Sequence, residues 1–277
     1  LSRLPTGGTA YEALSPSGPP VSGRVDTSDF LPEIGFQWEA SDAVMVYAKY
    51  SEALKAGGFV KSPPIGGAVA NPFTYDNEVA EGFDVGIKGL LLDGSLSLNA
   101  SYYYTDFTDL QVTILNPDTA AFETQNAAAA HTKGFEFDGR WAMTDNFSVG
   151  FSGAVSEAQY DDYFGPNCNT LETKFGPIGK CQFHPDNPGA LAYNASGVTL
   201  PYAPDWKINV QPEYRTSVNE FNVSVSANMV WSDGFSIAGV GGDPLSEADE
   251  WMRIDLRLAI VPMDGNWEVA VLSLIHI

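Results

Sequence analysis

The chain has 277 residues, of which 44% are hydrophobic and 12% aromatic, and 35 acidic against 14 basic residues give a net charge of −21. Because phosphate binding needs clustered Lys and Arg, this balance argues against nucleic acid as a partner. No stretch reaches the roughly 18 to 20 apolar residues of a transmembrane helix, which excludes a helical membrane protein but not a β-barrel, whose strands alternate. The acidic residues either attract cations and cationic ligands or form solvated loops without a binding role.

The front of the chain, Leu1 to Pro5, shows neither an initiator Met nor a signal peptide. An exported protein is made with a signal peptide at its front, so the sequence predicts a chain that is cut there.

Period-two alternation then recurs through most of the chain and predicts strands with one apolar and one polar face. In chain order, the apolar faces read Leu96, Leu98, Ala100, Tyr102, Tyr104; then Phe147, Val149, Phe151, Gly153, Val155; then Trp206, Ile208, Val210, Pro212, Tyr214; then Phe221, Val223, Val225, Ala227, Met229, Trp231; and finally Met252, Ile254, Leu256, Leu258, Ile260. Pro212 is a local anomaly, since proline has no ladder donor.

Alternation alone fits a soluble β-sandwich or a membrane barrel. Three features favour the barrel. The strands are long, at about 9 to 15 residues, against an average of about 5 to 6 in soluble proteins. Aromatic residues such as Trp141, Trp206 and Trp231 stand near the ends of the apolar faces, as in interfacial girdles. The polar faces carry charges, among them Glu136 and Asp138, which suit a hydrated lumen.

The connections alternate in length, which is typical of an outer-membrane barrel with short periplasmic turns and long outer loops. Short turns are predicted at 41–42, 92–94, 142–146, 216–220 and 262–266. Long loops are predicted at about 60–76, 116–130, 161–203 and 237–249. This gives an all-β antiparallel barrel segment of about ten strands, an open curved sheet because the barrel is incomplete.

Twelve residues lie between Cys168 and Cys181, and no CxxC motif or His-rich partner accompanies them, which disfavours a zinc site. A disulfide that closes one loop is the favoured interpretation, and it requires an oxidising compartment such as the periplasm or the cell surface. The alternative is two unrelated free thiols.

Six segments, in order, resemble the barrel of TonB-dependent outer-membrane receptors, of the siderophore-receptor kind. They are Val46–Phe59 (VYAKYSEALKAGGF), Asn77–Gly89, Leu92–Ala100, Tyr103–Val112, Asn126–Glu136 and Leu200–Pro204 (LPYAP). The family's Gly-Phe after Ser-Glu reads Ala53-Leu54 here, and the plug domain, TonB box and last barrel strands are not found. The resemblance implies a fragment: an incomplete N-terminal strand and loop region at 1–29, a partial barrel at 30–271, and a separate tail.

The tail, Leu272 to Ile277, reads LSLIHI where the family continues with a lipid-facing strand. This string resembles the translated transposon end of sequencing libraries, so residues 272–277 are expected to be a non-native, adapter-derived tail. Resequencing the parent gene tests this; the same six codons in genomic DNA would contradict it.

The resemblance implies TonB-energised uptake of a scarce ligand, most often a ferric siderophore, in the outer membrane of a Gram-negative bacterium. Its partners would be membrane lipid, TonB through the plug, and the small-molecule ligand. The candidate ligand-binding residues flank the cysteines of the longest outer loop: Tyr163, Phe164, Phe175, Phe183 and His184. An aromatic, disulfide-closed loop suits a planar ligand. The alternative is that these rings pack the loop against its neighbours.

Two other residues with a possible role have plainer explanations: Asn126 and Gly134 are expected to be structural. His131 is expected to begin a strand and to be packed or solvated. No nucleophile elbow, phosphate loop or HExxH is present, so no enzyme, cofactor or bound metal is predicted, although Asp161-Asp162 leaves a calcium site open. The alternatives in function are a passive porin or structural barrel and, more distantly, a secreted β-sandwich.

Overall fold

The computed structural model describes residues 2–3, 9–13, 21–25, 27–60, 74–116, 121–165, 167–184, 187–237 and 246–276, and nearly all of them lie in β structure. Three strands near the front form a small sheet: β1 (Ser2–Arg3), β2 (Thr9–Ala13) and β3 (Val21–Val25). In the described part of the chain, no helix is long and apolar enough to cross a membrane.

The main sheet has ten antiparallel strands. They are β4 (Glu33–Ser41), β5 (Val44–Lys55), β8 (Glu78–Leu91), β9 (Leu96–Asn116), β10 (Ala121–Ala142), β11 (Phe147–Tyr163), β14 (Trp206–Val218), β15 (Phe221–Ser232), β18 (Trp251–Pro262) and β19 (Val269–His276). The remaining elements lie in loops: β6 (Gly58–Phe59), β7 (Thr74–Tyr75), α1 (Thr170–Phe175), β12 (Cys181–His184), β13 (Asn187–Tyr193), β16 (Phe235–Ser236) and β17 (Glu247–Ala248).

Neighbours in the main sheet follow chain order from β4 to β19, and among the described strands these two form its edges. The prediction of an open, antiparallel sheet of about ten strands is therefore confirmed. Short turns follow β4, β8, β10, β14 and β18 at one end, here called the short-turn end. Longer connections follow β5, β11 and β15 at the other, the long-loop end.

One side of the sheet is apolar across the nine strands from β4 to β18 and at the start of β19. A single row of paired residues shows this across the first six: Phe36, Ala48, Val85, Tyr102, Phe135 and Val155. Every apolar face in the sequence prediction falls on this side. On β9, β11 and β14 the apolar stretch is nine residues tall, Leu96–Tyr104, Phe147–Val155 and Trp206–Tyr214, or roughly 20–25 Å at the tilt of a barrel strand.

The other side is polar and concave. Residues from eight consecutive strands, from Tyr47 on β5 to Trp251 on β18, line one recess of about 690 Å³. A recess shared by eight strands requires the sheet to curl around it. The polar side is therefore the inside of the curve, and the apolar band is the outside.

Aromatic rings lie over glycines of adjacent strands on the concave side. A Cβ on Gly86 would lie 2.5 Å from the ring of Tyr47, and one on Gly134 would lie 2.8 Å from the hydroxyl of Tyr103. The rings fill the space that a side chain would otherwise occupy, so larger residues at these glycines would overpack the wall. Gly134 thus has the structural position expected for it.

Two sequence expectations about β10 are wrong. The predicted loop at 116–130 is mostly strand, because β9 reaches Asn116 and β10 starts at Ala121. His131 consequently lies inside β10 and does not begin it. The run Ala127–Ala130 has no alternation of apolar and polar residues that would indicate a strand. Ala128 and Ala130 are buried against a folded loop, described below, and this burial explains why the run forms a strand.

The anomaly at Pro212 has a local explanation. Pro212 pairs with Val149 of β11, but the β14–β15 ladder passes from Val210↔Met229 to Glu213↔Ser226 without it. The missing N–H of proline therefore coincides with a gap in that ladder.

The pattern of faces changes at the tail. Val269 and Val271 lie on the apolar side, opposite Ile260 and Leu258, but Leu272 and Leu274 lie on the polar side and Ser273 on the apolar side. The alternation is thus broken at residues 272–274, and Ile275 lies again on the apolar side, opposite Ile254. The adapter-derived origin of residues 272–277 stays a prediction, since pairing of this segment with β18 does not test where its codons come from.

Candidate functional site

The hairpin of β9 and β10 rises beyond its neighbour β8 at the long-loop end. The β8–β9 ladder stops at Val79↔Thr108, whereas the β9–β10 ladder continues to Asn116↔Ala121. We call residues 107–116 and 121–130 the rim extension. Register shifts at Asn126/Ala128 and Ala128/Ala130 mark irregular pairing within it.

The loop between β11 and β14 folds onto the concave side of the rim extension. Ala128 and Ala130 share the concave face of β10 with Gly134, and they pair with Tyr163 and Tyr160 of β11. The buried cluster that forms there contains Val112, Ala128, Ala130, Tyr160, Tyr163, Tyr193 and Ala195. The predicted ligand loop therefore packs on the concave side of the rim extension, at the long-loop end of the wall.

Tyr163 is at the centre of this cluster and is only 1% exposed. Its ring lies 5.0 Å from that of Tyr160, and burial raises the pKa of its phenol. Burial also raises the pKa of Tyr193 in the same cluster. Tyr163 therefore exposes almost no surface that a ligand could contact. Its position matches the alternative in which the rings pack the loop against its neighbours.

A disulfide joins Cys168 to Cys181, with the Cα atoms 5.6 Å apart. The segment it closes contains α1, which Asn169 caps: its side chain accepts the Glu172 N–H at 2.9 Å, and the Glu172 carboxylate accepts the Asn169 N–H at 3.1 Å. Cys181 is fully buried. The capping box thus stabilises the first turn of the helix, and the disulfide links the segment that contains it to the start of β12.

The other candidate rings divide into two groups. Phe164 and His184 contact each other edge to face, with centroids 5.5 Å apart. Phe175 and Phe183 are 67% and 55% exposed. The loop therefore offers two exposed rings and one ring pair to a ligand, while the aromatic residues beneath them hold it in place.

The two sulfur atoms and the Glu172 carboxylate lie within 4.8 Å of one another, a spacing that could suit a metal ion. Metal binding by cysteine requires thiolates, and the disulfide leaves none. Sulfur atoms that form a disulfide cannot also bind a metal ion as thiolates, so this group of atoms is a disulfide and not a metal site.

His131 lies on the convex side, above the apolar band of β10. Its two ring nitrogens contact carboxylates, Nδ1 with Asp161 at 2.7 Å and Nε2 with Glu157 at 3.2 Å. Lys133 also contacts Glu157, at 2.8 Å. This cluster belongs to the outer border of the band, on the opposite side from the candidate ligand loop.

The concave wall is electrically balanced. Leaving aside the irregular parts of the ladders, its described strand positions carry eight basic and eight acidic side chains. These are Lys49, Lys55, Lys88, Arg140, Lys207, Arg215, Arg253 and Arg257, with Glu33, Glu39, Glu78, Asp84, Glu136, Asp138, Glu213 and Asp255. The net charge of −21 therefore belongs to the rest of the chain.

Several of the charges on the wall are paired across strands. Glu213 of β14 contacts Arg140 of β10 at 2.8 Å, and Lys49 of β5 contacts Glu33 of β4 at 3.0 Å. Glu213 also contacts Arg215 of its own strand at 2.8 Å. In the recess, Lys88 lies over the ring of Tyr47 and Lys207 over that of Trp251, each 5.7 Å from the centroid.

Sequence reasoning did not single out these recess residues. The signal was present in Lys88 and Lys207, each a charged residue on the polar face of an alternating strand. Which strands meet around one recess, however, is set by the curvature of the sheet.

Comparison with known proteins agrees with this architecture. The profile of the family described as "TonB dependent receptor-like, beta-barrel" matches residues 6–273. No protein of curated function matches the chain significantly in sequence.

Similar solved structures include three bacterial receptors. The ferric yersiniabactin uptake receptor FyuA of Yersinia pestis has a TM-score of 0.58 at 13% identity, over 92% of this chain and 37% of its own. The ferric preacinetobactin receptor BauA of Acinetobacter baumannii gives 0.60 at 12%, over 94% and 33%. The siderophore receptor PiuA of the same species gives 0.60 at 16%, over 94% and 38%. At these identities the likeness shows the fold, and the chain spans about a third of each receptor, between 33% and 38%.

Proposed function

The chain belongs to the TonB-dependent receptor-like β-barrel family, and on that premise we propose that it forms part of the wall and several outer loops of a receptor for TonB-energised uptake. The ligand we propose is a ferric siderophore, and the location is the outer membrane of a Gram-negative bacterium. In this proposal the chain contacts membrane lipid directly and reaches TonB through the plug domain of the complete receptor. Its role is binding and passage, without catalysis.

The observation that carries the proposal is the division of the sheet into two faces. The convex face presents an apolar band bordered by aromatic residues, such as Tyr104 above and Trp141 below. The concave face is polar and lined by charges. A soluble sandwich would bury its apolar face, whereas here many large side chains of the band are exposed, among them Phe135 at 46% and Val155 at 55%. Exposure of this extent suits lipid as the neighbour.

Two observations support the ligand class. The similar solved structures include a ferric yersiniabactin uptake receptor and a siderophore receptor, and the disulfide loop of this chain exposes the aromatic residues Phe175 and Phe183 at the long-loop end.

The test is uptake by living cells. The gene that encodes this chain is expressed in a Gram-negative host without its own siderophore receptors, and radioactive ferric siderophores are supplied one at a time. We expect saturable uptake of one of them in a host with TonB and none in an otherwise identical host without TonB. Uptake that is unsaturable and equal in both hosts would contradict the proposal and favour the passive porin.

A further inference from the structure

The ladder between β5 and β8 ends at the pair Lys55↔Glu78, while β9 and β10 continue past it. Backbone N–H and C=O groups just beyond that pair, at residues 56 and 76, have no strand neighbour to bond. Such groups need other partners when they are not solvated. Two side-chain amides from the rim extension supply them.

The side chain of Asn126, on β10, bonds the backbone groups of Asp76 that a neighbouring strand would otherwise bond. Its Oδ1 accepts the Asp76 N–H at 2.6 Å, and its Nδ2 donates to the Asp76 carbonyl at 3.0 Å. The same Nδ2 donates to the carbonyl of Asp109 at 2.7 Å. One side chain thereby joins the start of β8 to the bend in β9, where Asp109 has a φ of 53°.

Gln111 of β9 makes the second set of contacts. Its Nε2 donates to the carbonyls of Ala56 at 3.1 Å, Asp76 at 3.0 Å and Lys55 at 3.3 Å. Its backbone N–H donates to the carboxylate of Glu78 at 2.8 Å, and Lys55 Nζ donates to the same carboxylate at 3.1 Å. Glu78 is only 8% exposed, so these bonds satisfy a buried charge.

The backbone of the first segment fits closely against this arrangement. The Gly57 N–H donates to Asn77 Oδ1 at 2.8 Å. A Cβ on Gly57 would lie 2.3 Å from the carbonyl oxygen of Tyr75, so a larger residue would force the two segments apart. Four of the segments that carry the family resemblance thus meet at one place, around Gly57, Asn77, Gln111 and Asn126.

The rim extension connects this network to the disulfide loop. Val112 follows Gln111, Ala128 lies two residues after Asn126, and both belong to the buried cluster that receives Tyr163 and Tyr193. Cys168 packs against the same cluster.

We propose that Gln111 and Asn126 are positioning residues for the disulfide loop. They fix the rim extension to the ends of β5 and β8, and the extension in turn fixes the loop over the concave wall. The role of this placement in ligand capture rests on the proposed function. The placement itself rests only on the contacts described above.

The test measures amide hydrogen exchange, by mass spectrometry, of the full chain in detergent micelles. The variants are Asn126→Ala and Gln111→Ala. We expect amides of Tyr193–Val198, in the loop, to exchange about tenfold faster or more, because each variant removes several hydrogen bonds and one lost bond already changes an equilibrium by about that factor. Amides in β14 and β15 should keep their exchange rates.

The matched control is Thr113→Ala, since the Thr113 hydroxyl contacts Thr124 at 3.4 Å on the exposed side of the same extension. It should leave the loop unchanged. Faster exchange confined to residues 74–78, or equal loosening of β14 and β15, would overturn the proposal. The exchange experiment and the uptake assay can fail separately. If the variants show the expected exchange pattern but the parent protein fails the uptake assay, the proposed ligand is refuted and the positioning role is still supported.

Discussion

Replacing Val210 with arginine tests the assignment of the two faces of the sheet. Val210 lies at the middle of the nine-residue apolar stretch of β14, where it pairs with Phe151 on one side and Met229 on the other. Gln211, the next residue, lies on the concave side next to Gly150. Val210→Arg and Gln211→Arg therefore add the same charge one residue apart, on opposite faces.

The expected penalties differ because the two sites have different surroundings. Val210 is about four residues from either border of the band, or roughly 10 Å at a strand tilt of about 40°. Arginine at that depth of a bilayer costs about 2–4 kcal/mol, which corresponds to a roughly 30- to 900-fold loss in the folding equilibrium. The concave wall already carries eight basic side chains, so Gln211→Arg should cost no more than about 0.5 kcal/mol.

The measurement is folding of the full chain into phosphatidylcholine vesicles, followed by tryptophan fluorescence in a guanidinium titration. We expect the transition of Val210→Arg at clearly lower guanidinium than that of the parent, and that of Gln211→Arg within error of the parent. Equal losses for both variants, or a larger loss for Gln211→Arg, would refute the assignment of the convex face to lipid.

Three further outcomes follow from the loop and the wall. Tyr163→Ala should destabilise the loop by about 3–5 kcal/mol, seen as faster exchange of its amides, whereas Phe183→Ala should leave it folded; similar effects would contradict the burial of Tyr163. Cys168→Ser should remove about 3 kcal/mol of loop stability and open the loop to limited proteolysis, without moving the unfolding transition of the main sheet. Gly86→Val should cost about 1–3 kcal/mol in the guanidinium titration by displacing the Tyr47 ring, and adding Tyr47→Ala should recover much of it.

The sequence was sufficient to predict the sheet. Period-two alternation depends on nearest neighbours only, so each apolar face could be read strand by strand, and all of them fall on one side. The alternation of short and long connections predicted the two ends, with one failure at 116–130. That segment is a strand because of what packs on it, and Ala127–Ala130 by itself has no pattern that distinguishes strand from loop.

The site was less predictable. The sequence suggests Tyr163 as a ligand-binding residue because it lies beside a disulfide-closed loop, but its pairing with Ala128, past a register shift, places it in the buried cluster. The contacts of Asn126 with Asp76 span 50 residues. A single sequence contains no signal for such a long-range contact.

The equal numbers of positive and negative side chains on the concave wall bear on how a solute would move along it. Opposite charges on neighbouring strands cancel at distances beyond a Debye length, which is about 8 Å at physiological ionic strength. A charged solute that stays farther than this from the wall would therefore meet a nearly flat electrostatic profile, with neither a trap nor a barrier that depends on its sign. In the proposed receptor, the wall would then select a solute by size and hydrogen bonding, and selection by charge would fall to parts of the receptor other than this wall.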